Sequence, residues 1–166
     1  MFGVATYAQV RDKADRPPEK SFKERIYYGG NLGLQFGNIT LVEFAPSVGY
    51  KLTDNLSLGV GATYLYISYN DLGYKFTSNI YGARIFGRYI VSEGWFIHGE
   101  DEVLNVESVY FPGTRLSINT YMAGVGYRQM FSDRSSYYII ALWNFNESVY
   151  SPYSNPIIRM GFNVGF

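Results

Sequence analysis

A single histidine, His98, lies two residues before the acidic run Glu100-Asp101-Glu102. A histidine among carboxylates is the raw material of general acid–base chemistry, and with a serine nucleophile it would suggest a hydrolase. The same residue types can ligate a metal. The spacing supports neither case. No serine has an expected position beside His98, and His98 with Glu100 and Glu102 gives too few suitable ligands. Cysteine is absent from all 166 residues, which excludes disulfide scaffolds and thiolate metal sites. No cofactor is expected. The remaining charges of interest are Glu43, Arg84, Arg88, Arg128 and Arg159. What they can do depends on the elements that aim them.

Those elements alternate with period two, the spacing at which strand side chains change faces. In the last segment Ile158, Met160, Phe162, Val164 and Phe166 share one face, and Arg159, Gly161, Asn163 and Gly165 share the other. The apolar face is broad and aromatic, and the polar face is rich in glycine, which suits a crowded interior. That pattern belongs to a strand with lipid outside and a polar lumen inside. A soluble barrel with the opposite register would leave an exterior of glycine, serine and asparagine, where glycine weakens strands for no gain.

Eight such strands are expected between Arg25 and Phe166. They cover Arg25–Phe36, Thr40–Leu52, Leu56–Tyr69, a segment from Gly73 to Val91, Trp95–Asn105, Arg115–Met130, Ser136–Asn146 and Pro156–Phe166. Turns are expected at Gly37-Asn38, Thr53-Asp54-Asn55, Asn70–Gly73, Ser92-Glu93-Gly94 and Phe131–Ser135. A tilted strand needs roughly 9–11 residues to cross a bilayer. The fold class is therefore all-β: an eight-stranded antiparallel up-and-down transmembrane β-barrel with a filled polar lumen. An even strand number also returns the chain to the side on which the barrel began.

Composition agrees. Aromatic residues make up 19% of the chain, with 17 Tyr against 12 Phe and 2 Trp, and Tyr suits a membrane–water boundary. Mean hydropathy is only −0.10, as interleaved polar and apolar residues require. Net charge is zero, so nothing in the charge points to nucleic acid. Residues 1–8 read as the remnant of a signal peptide ending at Ala8, although no basic stretch precedes them. Residues 9–24 are charge-dense, contain Pro17-Pro18 and lack periodicity, which predicts a disordered lead-in.

The barrel register turns Glu43, Arg84, Arg88, His98, Glu100, Glu102, Arg128 and Arg159 into the lumen. If the fourth and fifth strands pair through Ser92–Gly94, Arg88 lies opposite His98 and Arg84 opposite Glu102, with Glu100 diagonal to both arginines. Eight strands enclose a space just wide enough for side chains to fill. A paired charge network that plugs the lumen is the expectation. Three consecutive acids cannot all face inward, so Asp101 is expected on the outer wall near the membrane midplane, partnered by another protein or by a hydroxyl such as that of Tyr121. The alternative is a shifted register or a shorter fifth strand that places the acid in water. Of the loops, 106–114 and 147–155 are the longest, and Tyr110, Phe111, Tyr150 and Tyr153 are expected in an outer aromatic girdle, with a small exposed recognition surface as the alternative.

The segments Pro46–Gly59, Phe86–Tyr89, Gly124–Tyr127 and Ser151–Phe162 resemble the small, porin-like outer-membrane β-barrel proteins common in the Bacteroidota. The resemblance covers the chain from about Arg25 to Phe166 and implies an outer-membrane location. It implies that Phe162, Val164 and Phe166 form a C-terminal signal for the outer-membrane assembly machinery. The run Glu100-Asp101-Glu102 departs from the family pattern, with an acid where an aromatic or apolar residue is expected. The expected partners are membrane lipid, the assembly machinery and another outer-membrane protein. The expected role is structural or interactive and not enzymatic, such as an accessory subunit of a larger complex. A narrow channel for small solutes is the alternative, and a lipid-modifying hydrolase using His98 comes third.

Overall fold

The computed structural model describes residues 21–35, 39–71, 74–107, 113–146, 148 and 151–165. The expected signal remnant, residues 9–20 of the lead-in, the turn at Gly37-Asn38, and Tyr110, Phe111, Tyr150 and Phe166 lie outside the described residues. Where the lead-in is described it is helical: α1 (Phe22–Arg25) carries a capping box between Ser21 and Glu24.

Eight strands follow: β1 (Ile26–Gln35), β2 (Ile39–Lys51), β3 (Leu56–Asp71), β4 (Tyr74–Ile90), β5 (Trp95–Glu107), β6 (Arg115–Ser132), β7 (Ser135–Asn144) and β8 (Ile157–Gly165). They form a closed barrel in chain order, every pair antiparallel, with β1 hydrogen-bonded to both β2 and β8. The outer wall is apolar. Val60, Ile85 and Met160 are each about 60% exposed, and Phe44, Tyr81, Val125 and Phe162 stand beside them. Phe162 and Val164, the described members of the expected assembly signal, are on this wall.

Inner-face glycines make room for inner aromatics. Tyr27, Phe86, Phe96 and Tyr138 each lie directly across the ladder from a glycine, at Gly49, Gly59, Gly126 and Gly161 respectively. A Cβ at any of these four would sit 2.1–2.5 Å from the facing ring. Aromatic and glycine therefore alternate between neighbouring strands, which fills a narrow lumen without overpacking it. Toward the long-loop end the lumen closes with an apolar tier that includes Leu41, Leu65, Ile80, Leu104, Leu142 and Ile157.

The strand ends differ from expectation: β3 and β5 each run two residues further, to Asp71 and Glu107, and larger changes fall around β6, β7 and β8. The turn expected over Phe131–Ser135 is only Asp133-Arg134, because a bulge between Met130 and Ser132 carries the ladder on to Ser132 opposite Ser135. β7 stops at Asn144, not Asn146. There the Asn155 side chain takes over as a surrogate strand, accepting from the Asn144 N–H (2.7 Å) and donating to its carbonyl (3.0 Å). β8 begins at Ile157 rather than Pro156, which has no N–H for a ladder.

Candidate functional site

The candidate site is the charged middle of the lumen, built by β1, β2, β4, β5 and β8. Arg159 on β8 is its hub and is only 2% exposed. Its Nε donates to the Glu43 carboxylate at 2.9 Å, and its Nη1 donates to Glu100. Its Nη2 donates to the Tyr153 hydroxyl at 3.1 Å and lies 3.8 Å from Glu102. Arg84 is the second cation. It donates to Asn31 and to the Ala45 carbonyl (3.2 Å), and lies 3.7 Å from Glu100 and 3.9 Å from Glu43. Asn31 in turn donates to Glu43 at 2.7 Å.

Glu102 is fully buried and receives two hydroxyl donors, from Thr63 and from Tyr153 (2.8 Å). Burial, with the negative charge of Glu43 close by, raises the Tyr153 phenol well above its ordinary range, so it stays a donor. Three carboxylates and two guanidiniums thus share a buried volume, with hydroxyls and an amide adding hydrogen bonds to the ion pairs. Such groups persist in a low dielectric only when paired and hydrogen-bonded.

The backbone ladder places Arg84 opposite Glu102 and Arg88 opposite His98. The side chains pair otherwise. Arg84 reaches across the lumen to β1 and β2, and Glu102 reaches toward β3 and the 145–156 loop. Ladder neighbours fix where Cα atoms sit, whereas long side chains in a narrow barrel meet across its bore. Arg88 and Arg128 stand apart from the carboxylates, at the short-turn end. Arg88 lies over the rings of Tyr138 (4.4 Å) and Phe96 (4.6 Å). Tyr153 corrects the expectation of an outer girdle position. Its side chain turns inward and its ring is buried.

His98 is buried, stacked on Phe86 at 5.5 Å, with Nε2 2.9 Å from Glu100. Among the described residues no serine hydroxyl bonds to it, and no group of three metal-ligating side chains is placed to hold an ion.

Asp101 is the middle residue of β5, on the outer wall, between Ile85 of β4 and Tyr121 of β6. Its Oδ1 is buried and has no hydrogen-bond partner among the described residues, the Tyr121 hydroxyl included. Just below it the wall is reduced to a single methyl, because Gly87, Gly99 and Ala123 lie side by side across β4, β5 and β6. The groove formed there and toward β1 is bounded by Val48, Leu58, Val60 and Ile85. Asp101 sits at its edge.

No protein family matches the sequence. No curated protein matches it. Among solved structures the fold is similar to the N-terminal β-barrel domain of OprF from Pseudomonas aeruginosa, with a TM-score of 0.45 and 14% identity over 86% of this chain and 97% of that one. It is also similar to the translocator domain of the autotransporter NalP from Neisseria meningitidis, with a TM-score of 0.43 and 10% identity over 85% and 86% of the two chains. A porin aligns at a TM-score of 0.33 and 10% identity, over 84% of this chain and 51% of its own.

Proposed function

We propose that the protein is an integral outer-membrane β-barrel with a closed lumen, serving as an accessory, interaction-bearing subunit of a larger membrane complex. The apolar outer wall supports membrane insertion. On β5 it runs from Trp95 to the level of Asn105, where Arg115 and Asn79 begin a polar collar. That is the span a tilted strand needs to cross a bilayer, roughly 9–11 residues. Short turns at one end and long loops at the other follow the outer-membrane arrangement, with the short turns periplasmic. The filled, ion-paired lumen and its apolar tier support a structural role over a channel. The buried His98, held by Glu100, supports a non-enzymatic reading.

The observation that carries the interaction role is Asp101. A carboxylate near the middle of a lipid-facing wall costs up to about 2 kcal/mol, and its unpartnered oxygen finds no donor among acyl chains. A partner that lays an apolar segment in the glycine groove and offers a hydroxyl, amide or cationic donor to Asp101 removes that cost.

The test is purification in gentle detergent of the native protein and of the Asp101→Leu and Gly99→Leu variants. Wild type is expected to bring a stoichiometric membrane companion. Both variants should lose it at least about tenfold, a change of roughly 1.4 kcal/mol, while unfolding at an unchanged or higher temperature. A chain that travels alone, or variants that keep the companion, would sink the proposal.

A further inference from the structure

We propose that the cavity at the short-turn end of the barrel binds a doubly charged tetrahedral oxyanion, phosphate or a phosphomonoester, between Arg88 and Arg128. The cavity lies inside the mouth of the barrel, away from the outer groove, and its walls come from every strand but β5. They present Arg88, Arg128, the hydroxyls of Tyr27, Ser57 and Ser136, and the Asn163 amide.

Two observations point to an anion. Arg88 is only 8% exposed, yet its Nε has no hydrogen-bond partner and its guanidinium makes no ion pair among the described residues. Its neighbours are aromatic faces. With the Asn163 amide turned so that both of its ends are satisfied, Asn163 accepts from Arg88 Nη1 at 3.1 Å, which fixes the guanidinium at the cavity wall. Independently, the Arg128 side chain has no hydrogen bond or ion pair among the described residues, and the charge it feels most directly is that of Arg88.

Two like charges held in one recess, without a carboxylate between them, are destabilising unless something neutralises both. Asp54 is the cavity's one acidic lining residue among those described. It stands in the 52–55 turn at the rim, beside Lys51, while the Arg134 guanidinium lies 3.7 Å from Glu24. A carboxylate ligand would balance one arginine. A phosphate, with close to two negative charges and several acceptor oxygens, balances both and can also accept from the Ser57 and Ser136 hydroxyls. The cavity opens toward the membrane surface, so the phosphate can be a free anion or the headgroup of a lipid in the adjacent leaflet.

The experiment is thermal unfolding of the whole chain folded into phosphatidylcholine vesicles, with inorganic phosphate titrated against chloride at constant ionic strength. Phosphate should raise the Tm saturably, as a ligand that binds the native state must. Acetate should bind at least about tenfold more weakly. Arg128→Gln, at a half-exposed position, should fold with an unchanged or higher Tm in chloride and lose phosphate affinity about tenfold or more. The proposal is overturned if phosphate acts no differently from chloride, if acetate equals phosphate, or if Arg128→Gln responds as wild type does. A second set of vesicles containing phosphatidic acid, whose headgroup is a phosphomonoester, separates the sources. If these lipids raise the Tm themselves and compete with added phosphate, the site takes a lipid headgroup. If they do not compete, it takes the soluble anion.

Discussion

Arg159 shows how much of the interior depends on one side chain. It touches Glu43 and Glu100 and closely approaches Glu102, so its removal leaves three buried carboxylates with Arg84 alone among the cations. Replacing it with Met should cost about 3–5 kcal/mol of stability, the usual penalty for orphaning a buried charge. Urea unfolding in vesicles, followed by tryptophan fluorescence, measures it. Tyr153→Phe removes one hydroxyl from Glu102 and Arg159 and should cost less, about 1–3 kcal/mol. A Tyr153→Phe loss as large as that of Arg159→Met would mean that the loop, rather than the ion pairs, holds the lumen together. That Arg159 faces inward is legible in the alternation of its own strand. Its partners are not, because β2 and β5 share no ladder with β8 and meet it only across the bore.

At the scale of the strand, glycine has two different uses that the sequence presents identically. Gly124 faces inward, and a Cβ there would lie 1.9 Å from the Ala141 carbonyl oxygen and 2.9 Å from the Leu142 Cα, both backbone atoms that cannot swing aside. Gly99 faces outward, and the nearest atom to its Cβ position is 4.0 Å away. Gly124→Ala is therefore expected to lower the unfolding free energy by about 1–3 kcal/mol or to block folding, as forced overpacking does. Gly99→Ala should leave it within about 0.5 kcal/mol. Equal effects would mean that the outer groove is not open on the isolated chain. The hairpins show a similar divide. Residue types marked the turn at Thr53–Asn55, where the Thr53 hydroxyl accepts from the Asn55 and Leu56 N–H groups at 3.2 and 2.9 Å. They did not mark the bulge at Phe131. That residue is exposed and apolar, as an ordinary outward strand residue would be, and it stacks on Tyr137 at 6.3 Å.

For the whole molecule, the decisive property is that the described residues fill the lumen in its middle and toward the long-loop end, leaving a recess only at the short-turn mouth. Ion pairs fill the middle and the apolar tier seals the long-loop end. Planar-bilayer recordings should show no steady conductance. Arg159→Met combined with Glu43→Gln should still conduct far less than a water-filled porin, because the apolar tier remains. Steady ion currents from wild type would overturn the closed-lumen reading. The alternation of the chain by itself determined the strand number, the inside and outside of each strand, and the outward placement of Asp101. It could do so because a strand's period of two is a local property of the backbone. Only closure of the sheet decided which charges meet, that Tyr153 turns inward, and that Arg88 and Arg128 line one recess at the short-turn end. Those contacts join residues far apart in sequence across a bore whose width the local pattern does not encode.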